Sequence, residues 1–529
     1  MLLILILCAT VIFFAIFTNK FIKGLGIPSL LFFMALGMLF GSDGIFKINY
    51  EDYNVTKEIC SIALGFIIFY GGFCTKWRTA KPIIAKATVL STIGVFLTAA
   101  FTCIFCHFML NVALLESFLI GAVISSTDAA SVFSILKSKN LNLKESTAPL
   151  LEIESGSNDP MSYILVILAI TLLQGQSINF VFILFLKQMI LGVLTGVLIA
   201  KFAIWVFSKT KLITEGNDTL FVIGLVIAAY ALPEFYSGNP FLSVYFMGFI
   251  LGNAQIKNKS ALINFFNGIT SLGQIGIFFI LGLLAFPSKL PSLWVTGVLI
   301  FLFLTFIARP LTIFLLMLPF KSSLGQNLLT SWAGLRGVAS IVFAIIAIDS
   351  GVNLHYDLFH LVFLISILSV ALQGTLLPYF AEKTNMIDAF SDVNKTFNDY
   401  QDEFAIKLLN IDVTEALNWA GKEIKNIDFP QGSLVLAIKR GNEKIVPKGS
   451  SVINIGDNVI LSLPNTNVGD DILLKEITID KNNKWCNKKI KELDLPENYL
   501  IVMIKRDGET IIPNGDTFLL DGDLLAVYD

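Results

Sequence analysis

Apolar runs follow one another along the first 385 residues of the chain, separated by short polar loops. A hydrocarbon core about 30 Å thick takes about 20 apolar residues per helix, and fewer where a helix is broken or buried among others. On that scale the pattern predicts about thirteen spans, over residues 2–18, 27–41, 58–73, 84–110, 116–136, 150–173, 180–207, 219–232, 241–253, 269–286, 292–319, 327–349 and 358–380. Beyond residue 385 the runs shorten and Lys, Asp, Glu and Asn become frequent. The pattern implies a membrane domain over 1–385, a linker over 386–400 and two small polar domains over 401–465 and 466–529.

The polar region repeats itself without gaps at an offset of about 66 residues. Trp419 matches Trp485, Pro430 matches Pro496, Ile438-Lys439-Arg440 matches Ile504-Lys505-Arg506, and Gly456-Asp457 matches Gly522-Asp523. Each unit reads as a strand, a short helix around the Trp, an apolar strand, a turn, a short strand ending in Pro and a final strand after Gly-Asp. The expected fold is therefore an all-α polytopic membrane protein followed by two small α+β domains.

Composition agrees with the pattern. Hydrophobic residues make up 55% of the chain and charged residues only 15%, against about 25% charged in soluble proteins. Lys and Arg fall in alternate loops: Lys20 and Lys23, Lys76 to Lys86, Lys137 to Lys144, Lys209 and Lys211, Lys257 and Lys259, and Lys321. Basic loops stay cytoplasmic, which places the amino terminus outside and the polar domains inside. No basic stripe stands apart from these loops, so nucleic acid is not an expected partner. Six cysteines sit mostly in apolar segments and read as reduced, packed thiols. Cys103 to His107 matches a haem attachment pattern, but inside an apolar run it carries no haem.

Charges inside apolar spans cost several kcal/mol, so each calls for a partner or a role. The candidates are Asp128 in the fifth span, Glu154 and Asp159 in the sixth, Arg309 in the eleventh and Arg336 in the twelfth. Burial disfavours the charged form of a carboxylate, and its ionised form offers oxygens to a hard cation. One group can then bind either a proton or a monovalent cation, and competition couples the two fluxes. Asp159, beside Asn158 and Pro160, is that candidate; Glu154 lies about 140° around the helix from it. The hydroxyl-rich run Ser125 to Ser131, with Thr127 and Asp128, predicts a helix break. That break would free backbone carbonyls for a cation, and Ser331 to Gly337, again polar and Gly-interrupted, predicts a second break. The two lie seven spans apart, an odd shift that inverts the second copy, as expected of inverted repeats with crossed broken helices. Asp128 and Arg336 are then placed to compensate helix-end dipoles, Arg336 is expected to pair with Glu154, and Arg309 reads as a helix-end or structural pairing. The histidines His107, His355 and His360 lack ligand spacing.

These residues together resemble the cation:proton antiporter-1 group of the Na⁺/H⁺ exchanger superfamily, in its bacterial NhaP-like branch. The matching stretches are Thr127-Asp128, Glu154-Ser155 with Asn158-Asp159-Pro160, Phe241 to Tyr245, Gln274-Ile275-Gly276, Arg309-Pro310 and Gly334-Leu335-Arg336-Gly337. The resemblance implies a homodimer in the bacterial inner membrane that works by elevator-like alternating access. It also implies cation contacts from Asp159, Ser155, Glu154 and the region of Thr127 and Asp128, and, from the Asn-Asp pair, electroneutral one-for-one exchange of K⁺ or Na⁺ for H⁺. The tail resembles the RCK C-terminal (TrkA-C) domain, which shifts the expected cation toward K⁺ and makes cyclic di-AMP the candidate ligand of the tail. No Gly-x-Gly-x-x-Gly follows a strand there, so the nucleotide-binding half of a complete RCK unit is absent and NAD is not expected. An RCK-gated potassium channel is the alternative function; it requires a Thr-Val-Gly-Tyr-Gly filter, which the sequence lacks. An intramembrane enzyme is disfavoured, because the buried polar groups occupy inverted-repeat positions.

Overall fold

The computed structural model describes residues 9, 11, 13–14, 29–128, 131–132, 135–136, 141, 143–209, 217–254, 256, 259–387, 406–413, 419–427, 429, 434–440, 443–445, 447–464, 474–479, 484–493, 500–506, 509–511, 513, 515 and 517–528. The chain divides into two compact units, Met1–Gln401 and Asp402–Asp529. Most of the span expected over 2–18 and most of the linker expected over 386–400 lie outside the described residues.

Among the described residues of the first unit, eight helices are long and apolar enough to cross a membrane: Tyr53–Cys74, Ile84–Leu110, Thr147–Leu173, Ile178–Lys209, Asn217–Phe235, Ala261–Leu284, Pro287–Phe320 and Leu358–Lys383. Four shorter apolar helices accompany them: Leu30–Phe40, Leu114–Ile124, Pro240–Gly252 and Val338–Asp349. Their starts are written locally. Asp52 accepts from Val55 N at 3.0 Å, Ser323 from Gln326 N at 3.1 Å, and Asn239 from Leu242 N at 2.9 Å with Pro240 as first helical residue, each satisfying an orphan donor.

In lipid the helices gain nothing by hiding apolar surface from one another, so close backbone approach at small residues drives their contact. Gly248 and Gly252 press on the backbone of Phe69 and Phe73, where a Cβ would overlap a carbonyl. Outward, the Ile178–Lys209 helix exposes Phe182, Ile183, Ile190, Leu198 and Phe202, a face suited to lipid.

Among the described residues, three spans contain a π-helical turn, at Leu90–Gly94, Leu304–Ala308 and Ser369–Gly374. Each inserts a residue and rotates the helix beyond it by about 100°. The first two occupy the fourth and eleventh expected spans, which are seven apart like the broken fifth and twelfth.

Among the described residues, the second unit holds two four-stranded antiparallel sheets. The first has order β1-β4-β2-β3, with β1 Ile406–Asp412, β2 Leu434–Arg440, β3 Glu443–Ile445 and β4 Asn458–Pro464. The second has order β5-β8-β6-β7, with β5 Leu474–Thr478, β6 Leu500–Arg506, β7 Glu509–Ile511 and β8 Leu524–Tyr528. The repeat extends to its irregularity: both sheets slip register at the same place, between Val435 and Ala437 and between Ile501 and Met503. Trp419 lies in a turn, and the described short helix follows it as a 3₁₀ turn at Ile424–Asn426.

In both repeats an arginine grips the buried aspartate of Gly-Asp with two bonds. Arg440 holds Asp457 at 2.8 and 2.8 Å, and Arg506 holds Asp523 at 2.7 and 2.7 Å. These guanidinium bonds, joined by backbone donors at Asn454 and Leu520, hold both carboxyls below the usual carboxylate range. A depressed folded-state value gives stability that is complete above the unfolded value, near pH 4, and lost as pH falls through the lowered one. Amide exchange of β2 and β4, corrected for intrinsic rates, is therefore expected to stay constant from pH 7 to about 5 and to accelerate below about 4. Asp457→Asn is expected to weaken protection at pH 7 already and to flatten that dependence.

Candidate functional site

Thr147–Leu173 is the helix on which the site is built. Residues three and four apart share a face, so Ser155, Asn158, Asp159 and Ser162 all point toward the first broken helix. That helix ends at Ile124, and residues 126–128 run without helical pairing. The polar face of the site helix receives the freed groups. Ser155 Oγ donates to Thr127 O at 2.7 Å, Asn158 Nδ2 to Thr127 Oγ1 at 2.5 Å, and Ser162 Oγ to Ala122 O at 2.7 Å. Ser126 Oγ donates to Asp159 Oδ1. Asp159 is 9% exposed and Asn158 fully buried, and Asn158 Oδ1 has no hydrogen-bonding partner.

The second broken helix comprises Leu324–Trp332 and Val338–Asp349 and crosses the first at their breaks. Asp128 N donates to Leu335 O at 2.8 Å. Arg336 Nη1 donates to Ser125 O at 2.7 Å and Ser126 O at 2.8 Å, which sets a cation on the carbonyl end of Leu114–Ile124. Asp128 accepts from Ser131 Oγ at 2.6 Å. Of the backbone carbonyls at this break, those of Ser125 and Ser126 are engaged by Arg336.

The crossing leaves room for nothing larger than glycine at Gly337, where an added Cβ would overlap the Asp128 carboxylate. Gly337→Ala is expected to force Asp128 aside and to lower transport at least tenfold, with about 1–3 kcal/mol of stability lost to overpacking. Gly276→Ala, whose methyl meets open space, is the control. Transport assays and thermal melts of the two variants check this.

The expected pairing of Glu154 with Arg336 is corrected by the structure. Glu154 Oε1 pairs with Arg309 Nη2 at 2.5 Å, with the side chains 1% and 2% exposed. The physical reason lies just before Arg309: the π turn Leu304–Ala308 rotates the following helix and brings the guanidinium onto the site helix. Arg336 sits within a break, where unpaired carbonyls are its nearest acceptors. Gly334 completes the fit, since a Cβ there would lie 2.8 Å from Arg309 Nε.

The structure thus brings Asp159, Asn158, Ser155, Thr127 and Asp128 together and turns Glu154 away to Arg309. Ser126, Ser162 and Asn239 were not singled out from the sequence. Ser126 was visible as part of the hydroxyl run. Asn239 carried the signature of a cap before Pro240, and its Nδ2 also donates to Pro160 O at 2.8 Å, tying the site helix to its neighbour. His360 is satisfied locally, by Asp357 at 2.7 Å and Phe286 N at 2.9 Å. Among the described residues no group of three or more His, Cys, Asp or Glu is placed to hold a metal ion. The oxygens around Asp159 are hydroxyls, an amide and a carbonyl, a set suited to a hard monovalent cation or a proton.

Comparison with known proteins agrees with this architecture. The family model "Sodium/hydrogen exchanger, transmembrane" matches residues 9–383, and the TrkA-C domain model matches 408–469 and 474–528. The K(+)/H(+) antiporter NhaP2 of Shewanella oneidensis is 33% identical over 440 residues, covering 82% of this chain and 76% of its own. The K(+)/H(+) antiporter NhaP of Alkalimonas amylolytica is 32% identical over 456 residues, covering 84% of this chain and 78% of its own. Among solved structures, the sodium proton antiporter MjNhaP1 of Methanocaldococcus jannaschii shares the fold, with a TM-score of 0.64 at 22% identity over 72% of this chain and 99% of that one. The chain is a multi-pass membrane protein that belongs to the sodium/hydrogen exchanger family and carries two TrkA-C domains behind its membrane unit.

Proposed function

We propose that this protein exchanges K⁺ for H⁺ across the membrane by competition of the two ions for Asp159. The observation that carries the reading is the position of Asp159: a buried carboxylate in the middle of a spanning helix, hydrogen-bonded by the hydroxyl of Ser126 and bordered by the oxygens of Thr127 and Asn158. The other acid of that helix, Glu154, is already committed to Arg309. Ser155 and Thr127 shape the cation's surroundings, and Asp128 and Arg336 hold the crossing. With Glu154 held by Arg309 and Asn158 uncharged, a proton or a monovalent cation on Asp159 neutralises the one charge that the cycle changes. Only that balanced state is inexpensive to carry through a bilayer, so the exchange is electroneutral and one for one.

K⁺ is favoured over Na⁺ because both relatives at 32–33% identity are named K(+)/H(+) antiporters. The protein works as a homodimer in the bacterial inner membrane, by alternating access. Its amino terminus lies outside, and its tail regulates transport from the cytoplasm, with cyclic di-AMP as the candidate ligand. The test is proton movement in proteoliposomes after pulses of K⁺, Na⁺ or Li⁺, with and without an imposed potential. K⁺-driven proton efflux insensitive to potential is expected. Cation flux without proton counterflow would sink the antiport reading, and steep potential dependence would sink electroneutrality.

A further inference from the structure

The shift of seven spans that relates the two broken helices also relates the site helix to the last span, Leu358–Lys383. At the first break, Ser155, Asn158 and Ser162 receive the groups that the interruption frees. At the second break, the matching work falls to the π turn Ser369–Gly374. Ser369 Oγ accepts from Arg336 N at 2.9 Å and donates to Gln373 Oε1 at 2.6 Å. Gln373 Nε2 donates to Trp332 O at 3.3 Å. Gln373 O in turn accepts from Trp332 Nε1 at 3.0 Å, and the Trp332 ring lies flat on Phe380, 3.6 Å between centroids. Ser369 is fully buried and Gln373 3% exposed. A π turn is unstable in isolation and persists where its rearranged groups are used; here they close around the break of the partner helix.

From this turn a series of hydrogen bonds, relayed through the residues Arg336 and Ser126, leads to the ion site. Gln373 orients Ser369, and Ser369 fixes the backbone of Arg336. The Arg336 guanidinium holds the carbonyls of Ser125 and Ser126, and the Ser126 hydroxyl bonds Asp159. We propose that Ser369 and Gln373 are positioning residues of the transport site, which set the Ser126 hydroxyl against Asp159 through Arg336. The inference rests on the reading of Asp159 as the ion carrier. Neither residue touches the ion; both determine how well its oxygens are placed.

Buried hydrogen bonds of this kind are worth a factor of about ten when one partner is left unpaired. Ser369→Ala is therefore expected to raise the apparent KM for K⁺ about tenfold in proteoliposomes, with Vmax and the amount of inserted protein within about twofold of the parent. Gln373→Met, of similar size but without donor or acceptor, is expected to move KM in the same direction. Ser369→Thr, which keeps the hydroxyl, is expected to restore KM to within about threefold. An unchanged KM in Ser369→Ala and Gln373→Met overturns the proposal, as does a loss of Vmax or melting temperature with KM unmoved, the mark of a purely structural role. Should Ser369→Ala fail to accumulate, Gln373→Met decides on the same criterion. Asp159→Asn measured alongside separates the two failures. Retained exchange there removes the site and this positioning role together, whereas an inactive Asp159→Asn with unmoved KM values overturns the positioning role alone.

Discussion

Asp159→Asn is expected to abolish cation-driven proton movement while the protein still inserts and melts near the parent temperature. The substitution keeps the volume and the acceptor for Ser126 Oγ but removes the group that titrates and the charge that a cation neutralises. A loss of at least a thousandfold, to background, is expected, because no second carboxylate can take over. Glu154 is held by Arg309, and Asp128 is engaged by Ser131. The measurement is dye-reported proton flux in liposomes of matched protein content. Exchange retained at a tenth of the parent rate or more would move the site elsewhere.

The second large effect is expected at Arg309. Removing one partner of a buried ion pair leaves an uncompensated charge and costs about 3–5 kcal/mol, so Arg309→Ala should unfold far more readily than the parent. Glu154→Gln in the same chain removes the stranded charge, and the double variant is expected to recover about 2–3 kcal/mol of the loss. The same cycle run with Arg336→Ala should give a smaller coupling, since Arg336 bonds backbone carbonyls rather than Glu154. Thermal melts of the purified variants provide both numbers. Equal couplings to Glu154 from the two arginines would contradict the observed pairing.

That correction marks where sequence reading reaches its limit. The two breaks were legible because hydroxyl residues and glycines interrupt runs that are otherwise continuously apolar, and interruption within a membrane has few causes. Asp159 was legible for a similar reason: an ionisable group in such a run stands out by its cost. The tail repeat was legible down to its paired Arg and Asp, though not the bidentate bonds between them. The partner of Glu154 was not, because its identity depends on a one-residue insertion at Leu304–Ala308 written entirely in ordinary apolar residues. Depth and residue type nominated Arg336 as readily as Arg309, and only the rotation of the helix chose between them. Ser369 and Gln373 were missed because a lone Ser and a lone Gln inside an apolar span are uncharged, and no cost of burial singles them out as it does an ionisable group. Their meaning arises from the backbone of another span.

The stacking of Trp332 on Phe380 has an optical consequence. Three tryptophans of the membrane unit are about half exposed, Trp77 at 47%, Trp205 at 53% and Trp294 at 52%, whereas Trp332 is 8% exposed and bonded directly to the turn that holds the crossing. Replacing the other five tryptophans by phenylalanine would leave a chain whose ultraviolet emission comes from the second break alone. Titrating such a protein with K⁺ at fixed pH, and with acid at fixed K⁺, would report the occupancy of Asp159 as a colour shift, without a dye, a label or a membrane gradient.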